Sequence, residues 1–104
     1  MREMTYTERL NYSLQMLKGR FARIEKDFNE GKNVDVKKYV DIHDKAEELL
    51  FSADTLLPIA TQQCSDYPYV MNRNSLQFLM AFKNDVVSLL KDIEELKNQF
   101  NKNY

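Results

Sequence analysis

Apolar residues recur along this chain at alternating spacings of four and three, the period of an α-helix that buries one stripe of its surface. The first such run places Leu10, Leu14, Leu17, Phe21, Ile24 and Phe28 on a single seam. A second places Val36, Tyr39, His43, Ala46, Leu50, Ala53, Leu57 and Ala60 on one stripe, which Ile42, Leu49 and Leu56 widen on one side. A third carries Leu79, Phe82, Val86, Leu89, Ile93, Leu96 and Phe100, flanked by Leu76, Met80, Val87 and Leu90. Seams of this kind are what side-by-side helices use to interlock.

The boundaries follow from local chemistry. Thr5 with Glu8 forms the T-x-x-E pattern of a capping box, and Gly31 in NEGKN can take the left-handed conformation that closes a helix. The second helix starts near Asn33 or Asp35. Pro58 lacks an amide proton and disfavours helical geometry at Leu57, so a kink or restart is expected there, with a short segment to Gln63. Asn74, with Gln77 three residues on, reads as the start of the third helix. The pattern thus predicts helices over residues 6–30, 34–63 and 75–101. They are of matched length, the second is the most buried, and they form one antiparallel three-helix bundle over residues 1–104. A helical hairpin that completes its core by dimerising is the alternative architecture.

Composition narrows the class without changing the fold. Two glycines and two prolines in 104 residues are too few for a β-rich domain, and 43% hydrophobic with 30% charged residues suits a folded helical chain. Charge is nearly balanced, at a formal −1, which argues against nucleic acid as a partner. Residues 1–33 carry seven basic and five acidic groups and residues 34–63 three and six, so a mildly positive first helix faces a negative second one. A single cysteine excludes an internal disulfide and a cysteine-rich zinc site. With no leader-like or membrane-length apolar run, a cytoplasmic location is the expectation. Nine asparagines, and ten lysines against five arginines, suggest an AT-rich bacterial or phage genome. In size the chain resembles secreted helical-hairpin proteins of about a hundred residues, but EGKN stands in place of their tryptophan-and-glycine turn.

Few residues here could carry catalysis. His43, the only histidine, sits on the apolar stripe and is expected at a core or boundary position. A phosphotransfer role is a remote alternative: such histidines typically have a lysine three residues on and then a glycine, whereas IHDKAEE offers neither at that spacing. Cys64 lies 21 residues further along the same helix, far outside hydrogen-bond reach of His43. Zinc and di-metal ligand patterns are missing, as is a glycine-rich phosphate loop. No catalytic, cofactor-binding or metal-ligating residue is assigned.

Binding surfaces remain. Tyr12 and Met16 fall side by side on the outer face of the first helix, and Phe51 either meets the third helix or marks a subunit interface. Asp41, Asp44 and Glu48 offer an acidic ridge. In CSDYPYVMNRN, residues 64–74, the aromatic and apolar side chains read first as a lid packed over the bundle end. Tyr67, Tyr69, Met71 and Arg73 are also the residue types enriched where proteins meet, and Pro68 stiffens them. The leading expectation is a non-catalytic helical module that binds another protein, as a regulator, inhibitor, adaptor or immunity-type factor, with homo-oligomerisation open. An oligomeric helical protein that binds a small ligand or nucleotide is the alternative.

Overall fold

The computed structural model describes residues 4 to 103, so the two ends of the expected 1–104 domain lie outside the described residues. Three helices account for nearly all of it: α1 (Tyr6–Asn29), α2 (Val36–Asp66) and α3 (Val70–Asn103), with no strand among the described residues. The architecture is the all-α three-helix bundle that the periodicity predicts.

Local chemistry sets the first turn. The Thr5 hydroxyl accepts from the Glu8 amide at 3.2 Å and caps α1. At the other end Gly31 has φ 75°, the left-handed region that costs an L side chain about 1–2 kcal/mol. Around it the Lys32 amide donates to Asp27 O (2.9 Å) and the Gly31 amide to Phe28 O (3.1 Å), the Schellman pair that satisfies otherwise orphaned carbonyls. Asp35 then caps α2 by accepting from the amides of Lys37 and Lys38.

One hydrophobic core joins the three helices. From α1 it takes Leu10, Leu14, Leu17, Phe21 and Ile24, and from α3 Leu79, Phe82, Val86, Leu89, Ile93 and Leu96, all on the expected seams. From α2 it takes only Ile42, Ala46, Ala53 and Ala60, so α2 is not the most buried helix. Its Leu50 is half-buried, and Val36 and Phe51 are exposed. The face of α2 is centred on the alanines, and small side chains there let α2 lie close to the bulkier seam of α3, which is its principal neighbour. At the turn end of the bundle, Phe28 and Tyr39 both meet Phe100 edge-on. The Tyr39 hydroxyl donates to the Ile93 carbonyl at 2.7 Å. Burial raises the pKa of that hydroxyl, and the Glu94 carboxylate pushes it the same way, so it stays a donor.

The helices are not of equal length. α2 has 31 residues and α3 34, against 24 in α1. Pro58 lies inside α2 and does not end it. The packing of Ala53 before it and Ala60 after it holds the helix together across the missing amide. Because all three helices are in contact at the Phe28–Phe100 end, the surplus of seven residues in α2 extends past the start of α1, a projection of ~10 Å.

Replacing the fully buried Ile93 by alanine is expected to cost about 2–5 kcal/mol in urea denaturation, from lost apolar contact and a residual cavity. The glycines give a second check. Both have open space where a Cβ would stand, so only the backbone decides. Gly19→Ala, inside α1, should stabilise by about 0.5–1 kcal/mol, whereas Gly31→Ala should destabilise by about 1–2 kcal/mol.

Candidate functional site

The segment between α2 and α3 is a tight reversal rather than a ten-residue loop. Only residues 67–69 separate the helices, so Cys64 closes into α2, and Met71, Arg73 and Asn74 belong to the first turns of α3. The cause is Pro68. Its ring drives Tyr67 out of helical geometry, to φ −136° and ψ 83°, and its fixed φ then leads into a new helix within two residues. Asn74 therefore does not cap α3. The start is held instead by the Tyr67 carbonyl, which accepts from the Tyr69 amide (2.7 Å) and from Asn72 Nδ2 (2.6 Å). On the other side the Tyr67 amide donates to Gln63 O at 2.8 Å, completing α2.

This turn presents apolar side chains to solvent. Tyr67 is 60% exposed, Tyr69 68%, Val70 69% and Met71 79%. A lid packed over the bundle end would bury them, so that reading is overturned. The two tyrosine rings lie nearly parallel, with centroids 6.4 Å apart, and form an aromatic plate at the apex. Why they are uncovered follows from the length mismatch. Cys64 continues the α2 stripe four residues past Ala60, and on α3 the half-buried Leu76 and Asn72 carry the core face back from Leu79, while Met71 lies off that face. Cys64 stands at a core position where α1 no longer provides a cover, and is half-exposed.

The tip also lacks charge. From Thr55 to Phe82 the only charged residues are Asp66 and Arg73, in a chain where 30% of residues are charged. The Asp66 carboxylate accepts from Gln62 Nε2 at 2.9 Å, and Arg73 makes no ion pair among the described residues. This gap was readable in the sequence and is the clearest sign of the tip that motif reasoning missed.

The other candidates scatter. Tyr12 and Met16 are exposed on α1, as expected, but they line a groove with Ser13, Arg20, Lys45 and Glu48 instead of facing fully away from the bundle. They lie on the body, apart from the tip. Phe51, 74% exposed, does not meet α3. On the acidic ridge, Asp41 faces both Arg20 and Lys45, and Asp44 lies 3.3 Å from His43 Nδ1. His43 is a boundary residue with its side chain 41% exposed, and its Nε2 lies 3.5 Å from Glu47. Carboxylates at both ring nitrogens would repel an incoming phosphoryl group. Continuous helix separates His43 from Cys64 by roughly 30 Å, so the two never meet. Among the described residues no three histidine, cysteine, aspartate or glutamate side chains gather as metal ligands would, and no helix is long and apolar enough to cross a membrane.

Fold and tip together define a class: a helical bundle from which one hairpin projects a stiff, nearly uncharged apolar end. No known protein family, curated protein or solved structure matches the chain, so its reading rests on this geometry.

His43→Gln should change unfolding free energy by less than about 0.5 kcal/mol, since the ring makes only exposed contacts with neighbouring carboxylates. Chemical denaturation measures this directly.

Proposed function

We propose that the protein is a non-catalytic binding module that docks another protein through the α2–α3 tip, as a regulator, inhibitor, adaptor or immunity-type factor does. The observation that carries this reading is the pairing of exposure with rigidity at the apex. Tyr67, Tyr69 and Met71 are exposed to 60%, 68% and 79%, on a turn fixed by Pro68 and by hydrogen bonds to the Tyr67 carbonyl. Tyrosine, methionine and arginine are the types over-represented at contact surfaces, and hot spots favour tyrosine and arginine. A turn already ordered before binding forfeits little conformational entropy on association. Arg73, beside the plate, supplies a planar donor for a carboxylate on the partner.

Tyr12 and Met16 form a secondary contact region in this reading, since they are exposed but sit in a groove with charged walls. A single cysteine fits a reducing, cytoplasmic setting.

Tyr67→Ala, Tyr69→Ala and Arg73→Ala should leave the melting temperature nearly unchanged, because none of the three side chains belongs to the core. Each tyrosine variant should weaken protein binding at the tip by about 1–4 kcal/mol, read by calorimetric titration with the docked protein. Variants that melt early yet bind normally once folded would return the tip to a purely structural role.

A further inference from the structure

We propose that the tip's partner is a second copy of this chain, packed tip against tip about a twofold axis. The inference rests on the reading of the tip as a protein-docking surface and adds the identity of what docks there.

Charge is the first argument. The 28 residues from Thr55 to Phe82 hold one acid, Asp66 at the end of α2, and one base, Arg73 in the first turn of α3. They stand on opposite sides of the turn and make no ion pair with each other. A surface with one acid and one base so placed is complementary to itself. Twofold symmetry sets Asp66 of each copy against Arg73 of the other, the reciprocal pairing of an isologous interface. A strongly acidic or basic partner would find only one countercharge on this surface.

Length is the second. The helix pair α2–α3 outruns α1 by seven residues of α2, or ~10 Å, and along that length it lacks a third helix. The projecting tip of a second copy is a helix pair of the same length. Overlapped antiparallel, each tip fills the space beyond the other's α1, and a local four-helix arrangement covers the half-exposed Cys64 in both copies.

Area is the third. A specific interface buries on the order of 800 Å² per partner. Tyr67 and Tyr69, 60% and 68% exposed, bring about two thirds of the roughly 150–250 Å² such side chains can bury. Val70 and Met71, exposed beside them, add to the patch.

Sedimentation equilibrium of the full chain over a concentration series tests the proposal. A monomer–dimer equilibrium is expected, weakened on the order of tenfold or more by Asp66→Arg or Arg73→Asp alone and restored when both are combined. Both side chains are exposed, and circular dichroism confirms that the variants remain folded. Phe51→Ala, on the outer face of α2, should leave the equilibrium unchanged. A second readout uses the unaltered sequence: alkylation of Cys64 by a monofunctional maleimide should slow as concentration rises and the dimer covers the thiol, whereas a rate independent of concentration counts against the proposal. A chain that stays monomeric at every concentration overturns the proposal while leaving a tip that binds some other protein intact. A dimer that ignores the charge reversals and Tyr67→Ala, or that Phe51→Ala breaks, places the interface elsewhere and overturns it as well. Loss of docking by the tyrosine variants in a strictly monomeric chain supports the proposed function alone and rejects self-association.

Discussion

The molecule depends on the close pairing of α2 with α3. Ala46 and Ala53 are fully buried and Ala60 nearly so, at intervals of seven residues that keep them on one line down the helix. Opposite them α3 offers Phe82, Val86, Leu89 and Ile93. Small against large is how two helices interdigitate without voids, and a Leu at any of those alanines would force the axes apart. The hairpin is thus the scaffold. α1 lies on it as a cover, held by five buried side chains and by exposed ion pairs such as Arg20–Asp41 (3.9 Å) and Lys18–Asp85 (4.0 Å), each contributing under about 1 kcal/mol.

This division explains what could be read from the residues and what could not. The seams of α1 and α3 were legible because each is built from large aliphatic and aromatic side chains at unbroken four-and-three spacing. On α2 the same method ranked Val36, Leu50 and Leu57 with the core, since hydrophobicity weights side-chain size. The true centre is a row of alanines, whose burial reflects the closeness of the neighbouring backbone and not their own apolar area. Leu50 and Leu57 consequently sit at the margin, half-covered. A period-7 alanine row flanked by leucines is a recognisable sign of a tight pair, but only once the partner helix is known to be bulky.

The turn was misread for a different reason. Asn74 and Gln77 have the side chains of a helix start, and so do many exposed positions inside helices, where such residues simply point into solvent. Pro68 was the stronger signal. It disfavours helix at the residue before it, and unlike at Pro58 no buried residues on both sides hold the helix together, so the reversal falls at Tyr67 and α3 starts at Val70 without any side-chain cap. The candidate residues Tyr67, Tyr69, Met71 and Arg73 were found from their types. That they stand uncovered depends on α1 being shorter than its neighbours, a relation among three segments that no single window of sequence contains.

A projecting tip also separates two demands that compete in most small domains. Side chains that bind tightly are apolar and exposed, and in a chain of 104 residues such groups usually have to be borrowed from the core. Here the core closes without them: among the described residues fifteen buried side chains join the helices, and the last on the α2 side is Ala60. Beyond it the hairpin adds little to folding, so its sequence is free to vary for recognition. Its only structural obligations are local, namely helix continuity through Pro58, the proline turn at 68, and the hydrogen bonds that converge on the Tyr67 carbonyl. Those obligations involve backbone and polar atoms, and they leave every exposed apolar face of the tip available for contact.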